Sequence, residues 1–133
     1  MGIPHGREKK MTKKILVVDD EPHIVTMLEA RLKKSGYEVI TAHDGIEGLK
    51  KAQIYKPDII IADILMPHMD GSSMAQELKI NPYTRNIPII FLTCLIKAER
   101  DKHTQQIIGN NLFIAKPFDV LELLAMVDKM VKK

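Results

Sequence analysis

The segment of residues 59–71, IIIADILMPHMDG, constrains the fold more than any other part of the chain. Residues 59–62 form an apolar, largely β-branched run of strand length, which is typical of a strand buried on both faces of a parallel sheet. Asp63 follows this run directly, and Asp70-Gly71 marks the start of a helix. Open α/β sheets bind ligands at the carboxyl ends of their strands, which makes Asp63 a candidate functional residue. A lone aspartate there more often caps a loop, so the interpretation depends on the rest of the chain.

Four further apolar runs of strand length alternate with segments of helical periodicity. Capping-box spacing, at Asp44 with Glu47 and at Asp119 with Glu122, marks the starts of two helices. The fourth helix is predicted within the polar segment 97–106. The predicted strands are residues 15–18, 37–41, 59–62, 87–92 and 112–115. Five strands that alternate with five helices predict an α/β fold, a doubly wound parallel sheet with right-handed crossovers.

Length and composition predict one globular domain. A chain of 133 residues can bury one proper core, and 45% hydrophobic with 28% charged residues is ordinary for a globular protein. No apolar run approaches the ~18 residues needed to cross a bilayer, and the first residues lack the apolar core of a signal peptide. The single cysteine, Cys94, cannot form an internal disulfide, so we expect a reducing, cytoplasmic location.

The positive charge of the chain is concentrated at its start. Residues 1–14 contain five basic side chains and one acidic one, so that the remaining residues, with 15 basic and 16 acidic side chains, are nearly neutral. We therefore expect residues 1–12 to be a disordered basic tail and residues 13–133 to be the folded domain. The domain has no basic footprint for direct binding of nucleic acid.

Polar side chains follow four of the five predicted strands. Asp19 and Asp20 come after the first strand, Asp63 after the third, Thr93 after the fourth and Lys116 after the fifth. The carboxyl ends of parallel strands lie at one edge of a sheet, so these side chains can converge. Three carboxylates repel each other, which a divalent cation such as Mg²⁺ would relieve. A lysine and a hydroxyl are suited to phosphoryl oxygens, so the set indicates phosphoryl transfer to a carboxylate.

Other kinds of site have little support. The sequence contains neither GxxxxGK[ST] nor GxGxxG, and its five histidines lack metal-ligand spacing. We expect the histidines to be surface or incidental residues. Met66, Met69 and Met74 are expected to pack in the core rather than to bind copper.

Four motifs in the same order resemble the receiver domain of bacterial two-component response regulators, the CheY-like family. They are VVDDEP, DILMPHMDG, FLTC and AKPF, and the resemblance runs from about Lys13 to the end of the chain. It implies a flavodoxin-like fold, in which a five-stranded parallel sheet has the strand order 2-1-3-4-5 and five helices surround it. It also implies a phosphoryl group that passes from a histidine kinase to the central aspartate with the help of Mg²⁺.

The resemblance assigns the acidic residues to the metal and to the phosphoryl group. Asp63 corresponds to the phosphoryl acceptor. Asp20, Asp63 and the backbone carbonyl of Leu65 correspond to direct Mg²⁺ ligands, whereas Asp19 would act mainly through a coordinated water.

The remaining motif residues correspond to the switch. Lys116 would pair with the phosphoryl group, and its peptide bond to Pro117 is expected to be cis. Thr93 would turn inward to hydrogen-bond the modified aspartate. Phe113, three residues before Lys116, has the position of the switch aromatic.

These residues predict a signalling switch rather than an enzyme that acts on metabolites. Its phosphoryl group would come from a sensor histidine kinase or a phosphotransfer protein. The output surface would consist of the fourth helix, the fifth strand and the fifth helix, which would control a downstream protein or an output domain. A homodimer formed on phosphorylation is a further expected partner, and no membrane association is expected.

Three alternatives remain open at this stage. In the first, the chain is the receiver part of a longer regulator with a DNA-binding or cyclase output domain. In the second, it is a small phosphotransferase or phosphatase for metabolites. In the third, it is a receiver that binds partners without being phosphorylated. The second lacks a polar cluster to line a substrate pocket. The third is disfavoured by the presence of Asp63, Thr93 and Lys116 together.

Overall fold

The computed structural model describes residues 12–93, 105–108 and 111–131. These residues form one six-stranded sheet, in which the strands have the order β2-β1-β3-β4-β6-β5. In chain order the elements are β1 (Lys14–Val18), α1 (Pro22–Lys34), β2 (Glu38–Ala42), α2 (Gly45–Tyr55), β3 (Ile59–Asp63), α3 (Gly71–Ile80), β4 (Ile89–Thr93), β5 (Gln105–Ile108), β6 (Asn111–Ala115) and α4 (Val120–Val131). All neighbouring strands pair in parallel except β5 and β6, which are antiparallel. The five predicted parallel strands and their order are confirmed.

Helices cover both faces of the sheet, as the uninterrupted apolar strands require. On one face, Ile15, Ile59 and Ile61 pack with side chains of α1 and α4, among them Leu28 and Leu123. On the other face, alternate strand residues pack with α2 and α3. That second group comprises Leu16, Val18, Ile60 and Ala62 of the strands with Ala52, Met74 and Leu78 of the helices. Each central strand is therefore buried on both sides, which explains why its sequence does not alternate between apolar and polar residues.

The predicted fourth helix is the main difference between sequence and structure. Most of its range, residues 97–104, lies outside the described residues, and the described part of the chain contains four helices where we predicted five. Its last two residues, Gln105 and Gln106, instead begin β5, where we predicted no strand. Ile107 and Ile108 have strong strand preference, and the Gly109-Asn110 pair that follows them is typical of a two-residue hairpin turn before β6. These residues favoured a strand, but the polar composition of residues 97–106 led us to predict a helix there.

Residues 1–11 also lie outside the described residues, so the predicted tail and domain boundary stay predictions. Among the residues that the structure describes, no helix is both long and apolar enough to cross a membrane.

A side-chain contact joins the edge of the sheet to the last helix. The hydroxyl of Tyr37, just before β2, donates a hydrogen bond to the carboxylate Oδ1 of Asp128 in α4. Burial and this carboxylate raise the pKa of Tyr37 above its usual value. Since β2 is an edge strand and is only partly buried, this contact adds a link between β2 and the core that α4 covers.

Tyr37→Phe is expected to lower the free energy of unfolding by about 0.5–1 kcal/mol at pH 7, because it removes one partly exposed hydrogen bond. The raised pKa of Tyr37 means that the protonated hydroxyl is favoured in the fold. The contribution is therefore complete below the ordinary tyrosine pKa of about 10 and is lost at higher pH. Urea unfolding measures the difference, with Tyr83→Phe, at a tyrosine that is 75% exposed, as the control. Equal effects of the two substitutions would contradict this account.

Candidate functional site

The sheet brings four strand ends to one edge. Asp63 and Thr93 are the last residues of β3 and β4, whereas Asp19 and Lys116 each follow the last residue of their strand, β1 and β6. These four strands are parallel and lie side by side, so their carboxyl ends point the same way. Topology alone therefore places the sequence-predicted residues at a common edge.

Three carboxylates form a compact acidic cluster at this edge. Oxygen atoms of Asp19, Asp20 and Asp63 lie within 4.8 Å of one another. Asp19 is 1% exposed and Asp63 is 7% exposed, whereas Asp20 lies open to solvent. Burial raises the pKa of Asp19, and the nearby negative charge of Asp63 adds to this effect, although the backbone N–H of Glu21 and the ammonium of Lys116 oppose it. The cluster therefore holds more negative charge than a nearly buried site tolerates without a cation.

Lys116 supplies a cation. Its Nζ atom donates to Asp63 Oδ2 at 3.1 Å, to Glu21 Oε1 at 3.2 Å and to Asp19 Oδ2 at 3.3 Å. Burial opposes the charge on Lys116, but the hydrogen bond to Asp63 and the charges of Asp19 and Asp63 outweigh burial and raise its pKa. The ammonium is thus fully charged at neutral pH and bound to three carboxylates at once.

The backbone fixes the position of this lysine. The peptide bond between Lys116 and Pro117 is cis. The N–H of Lys116 donates to the carbonyl of Thr93 at 2.9 Å, and this hydrogen bond holds the lysine backbone at the sheet edge, from which the side chain reaches the carboxylates of Asp19 and Asp63.

The acidic cluster has the donor set of a hard divalent cation. Carboxylate and carbonyl oxygens are the ligands that Mg²⁺ prefers, and Mg²⁺ commonly takes few protein ligands and keeps several waters. An exposed carboxylate, Asp20, stands beside two buried ones, Asp19 and Asp63, and leaves room for those waters. The residues present therefore fit Mg²⁺.

The loop after β3 closes tightly around Asp63. The N–H of Leu65 donates to Asp63 Oδ1 at 3.3 Å, and the N–H of Gly71 donates to the carbonyl of Ile64 at 2.7 Å. A Cβ atom at Gly71 would lie 2.4 Å from the carbonyl oxygen of Asp63, which is closer than atoms can approach. Only glycine allows α3 to start so near the strand end, which explains the glycine of the Asp70-Gly71 pair.

A second contact holds this loop against the start of α2. His68 Nδ1 lies 2.8 Å from Asp44 Oδ2, and the N–H of Gly45 donates to the carbonyl of Met69 at 3.0 Å. The pKa of Asp44 is lowered, chiefly by the backbone N–H of Glu47 and also by His68. His68 adopts a left-handed backbone conformation with φ of 69°. The contact gives this histidine a role in the loop, whereas its place in the sequence does not distinguish it from the other four.

The two predicted switch residues lie on neighbouring strands. Thr93 is 1% exposed and pairs in register with Ala115, and Phe91 pairs with Phe113. The rings of Phe91 and Phe113 are stacked, with centroids 5.0 Å apart and planes inclined by 23°. Since residues two apart on a strand share a face, Thr93 and Phe91 lie on the same side of β4. Phe91 thus joins Thr93 to Phe113 along one face of the sheet, a link that sequence reasoning did not identify.

Glu21 is a further site residue that sequence reasoning missed. Its carboxylate binds Lys116, and its backbone N–H donates to Asp19 Oδ1 at 3.0 Å. Its position in VVDDEP could have indicated this role, because an acidic residue directly after Asp19-Asp20 must lie near the same sheet edge.

Comparison with known proteins agrees with this geometry. A family model described as the response regulator receiver domain matches residues 15–128. The alkaline phosphatase synthesis transcriptional regulatory protein PhoP of Bacillus subtilis is 40% identical over 127 residues, which covers 92% of this chain and 50% of PhoP. The chain spans about half the length of three of the curated relatives that it matches.

Solved structures show the same fold. The chemotaxis response regulator CheY4 of Vibrio cholerae matches with a TM-score of 0.76 and 33% identity, covering 90% of this chain and 98% of CheY4. The receiver domain of a sensor histidine kinase from Pseudomonas aeruginosa PAO1 matches with a TM-score of 0.77 and 31% identity. The match covers 92% of this chain and 99% of that receiver domain. That structure has a magnesium ion coordinated in its active site cleft.

Proposed function

The chain belongs to the family of response regulator receiver domains, and on this premise we propose that it is a signalling switch that accepts a phosphoryl group on Asp63. The observation that carries the proposal is the ammonium of Lys116 bound to the Asp63 carboxylate inside the acidic cluster. A sensor histidine kinase or a phosphotransfer protein would be the donor, in the cytoplasm. The chain would act on its own aspartate and not as an enzyme on metabolites.

The contacts of the three carboxylates favour Asp63 as the acceptor. The side chain of Asp19 is 1% exposed, so a phosphoryl donor cannot reach its carboxylate. Asp20 is exposed and belongs to the same cluster. Asp63 is oriented by Leu65 N–H and by Lys116, and its side chain is 9% exposed, so a donor can reach it. It is therefore the carboxylate that is both oriented and accessible beside a cation.

The proposed step forms one bond and breaks one. A carboxylate oxygen of Asp63 attacks the phosphorus of a phosphohistidine, and the bond between phosphorus and the imidazole nitrogen breaks. The electron pair stays on the imidazole, which takes a proton from water. The Lys116 ammonium stabilises the negative charge on the phosphoryl oxygens. Hydrolysis of the aspartyl phosphate returns the carboxylate and inorganic phosphate.

Mg²⁺ would be held by Asp20, Asp63 and the backbone carbonyl of Leu65, with Asp19 acting through a coordinated water. When bound, it would neutralise carboxylate charge and attract phosphoryl oxygens.

Asp63→Asn is expected to abolish phosphorylation by acetyl phosphate with Mg²⁺, because an amide cannot form the acyl phosphate. Intact-protein mass spectrometry measures the gain of one phosphoryl group by the parent and its absence from the variant. Asp58→Asn is the matched control, since it removes a carboxylate from the residue just before the same strand. If Asp63→Asn gains phosphate as well as the parent does, the acceptor is another residue.

Asp20→Ala is expected to weaken Mg²⁺ binding more than Asp19→Ala, because only Asp20 is proposed to contact the metal directly. Titration with Mg²⁺, followed by calorimetry, measures both dissociation constants against the parent. Equal losses in the two variants would mean that both carboxylates are direct ligands.

The output surface is proposed to consist of β6, α4 and the segment of residues 97–104, which lies outside the described residues. Phosphorylation would draw in the Thr93 hydroxyl and vacate space that Phe113 can occupy, and the stack of Phe113 on Phe91 connects the two residues. The modification would then shift an existing equilibrium between two arrangements of this surface, which a downstream protein, an output domain or a second copy of the chain reads.

Hydrogen exchange with and without beryllofluoride, a stand-in for the phosphoryl group, tests the output surface. Outside the phosphate pocket, the largest change is expected in peptides that cover residues 95–113, because they contain the proposed switch. A change confined to α1 and α2 would contradict the proposal.

A second candidate function is the receiver part of a longer regulator with a DNA-binding or cyclase output domain. The match to PhoP, a transcriptional regulatory protein of which the chain spans half, favours this alternative. The mass of the native gene product distinguishes a separate switch from a longer regulator.

A further inference from the structure

Glu21 differs from the other two carboxylates that bind Lys116. All three lie between 3.1 and 3.3 Å from the lysine Nζ. Asp19 and Asp63 have side chains that are 1% and 9% exposed, whereas the side chain of Glu21 is 48% exposed. The lysine is therefore shared between two buried partners and one that remains in contact with water.

Three carboxylate partners use the full donor capacity of the lysine. An ammonium group has three N–H donors, and Asp19, Glu21 and Asp63 each accept from Lys116. While a phosphoryl donor binds, its oxygens need a donor from the same nitrogen and Asp63 must stay oriented for attack, so the contact to Asp19 or the contact to Glu21 must be released. Breaking the contact to buried Asp19 leaves a charge without its partner in a poorly hydrated place, which is costly. Breaking the contact to Glu21 costs little free energy, because water can solvate the Glu21 carboxylate in place of the lysine.

The surroundings of Glu21 allow this exchange. Its backbone is fixed, since its N–H donates to Asp19 Oδ1 at 3.0 Å and its carbonyl accepts from Ile24 and Val25 at 3.1 and 3.2 Å. Its side chain lines a cavity of about 440 Å³ that Lys116 also lines, between α1 and the segment that joins β6 to α4. The side chain can therefore turn away from the lysine while the backbone and the hydrogen bond to Asp19 stay in place.

We propose that Glu21 is a positioning residue that occupies one N–H of Lys116 in the unphosphorylated protein and gives it up to the incoming phosphoryl group. This inference rests on the proposed phosphorylation of Asp63. Glu21 thereby competes with the phosphoryl donor for the lysine, so that its contact sets the donor concentration at which the site becomes half-saturated. The maximal rate of phosphorylation depends on the site after Glu21 has released Lys116, so substitution of Glu21 should change it little.

The test is the rate of phosphorylation by acetyl phosphate, measured against donor concentration at saturating Mg²⁺. Glu21→Gln is expected to lower the half-saturating donor concentration by about 2- to 5-fold, the strength of a partly exposed ion pair. Glu21→Asp keeps the charge but shortens the side chain by one methylene, so it should lose the contact and behave like Glu21→Gln. Aspartate is also a good residue to precede a helix, so this variant keeps the start of α1 intact.

Glu29→Gln is the matched control, because it removes an equal charge from α1 at a residue that pairs with Lys33 and not with Lys116. The inference is overturned if Glu21→Gln changes half-saturation no more than the control, or raises it. It is also overturned if Glu21→Asp behaves like the parent, since net charge rather than the contact would then be responsible. A parent protein that takes up no phosphate overturns the proposed function together with this inference, whereas a phosphorylated parent with unaffected variants overturns this inference alone.

Discussion

One ammonium group, that of Lys116, offsets part of the negative charge at the acidic end of the sheet. It binds Asp63 and Asp19, both nearly buried, and Glu21 at the rim. Without it, none of the described residues would supply a cation to the buried carboxylates, and their protonation or exposure to water would be favoured over the present arrangement. The same group provides the charge that a phosphoryl group on Asp63 would meet. The stability of the cluster and its proposed reactivity therefore depend on the same contacts of Lys116, so a change in its partners would alter both.

The parallel sheet makes this contact set possible. Four of the functional side chains lie at, or one residue beyond, the end of a strand whose other residues are mostly buried, namely those of Asp19, Asp63, Thr93 and Lys116. Backbone hydrogen bonds hold the strand ends in place. The N–H of Lys116 donates to the carbonyl of Thr93, and the N–H of Gly71 donates to the carbonyl of Ile64. Little of the geometry depends on long side chains, apart from Lys116 and Glu21.

The strand order was predicted from the resemblance to the receiver family. The sequence itself was sufficient to predict a parallel sheet and the edge at which the site lies, because buried strands and their terminal residues are local patterns. It could not predict contacts that depend on the direction of a side chain. The pairing of Glu21 with Lys116, the contact of His68 with Asp44 and the stack of Phe91 on Phe113 are of this kind. The extra strand β5 was missed for another reason: two β-branched residues next to a polar segment carry a weaker signal than the composition around them.

Chemical trapping of the phosphoryl group tests the central claim most directly. The protein would be phosphorylated by a histidine kinase, reduced with borohydride, which converts an aspartyl phosphate to homoserine, and digested for tandem mass spectrometry. The account predicts homoserine at position 63 and aspartate at positions 19 and 20. Homoserine at another aspartate, or a phosphate that borohydride leaves in place on a serine, threonine or histidine, would contradict the account.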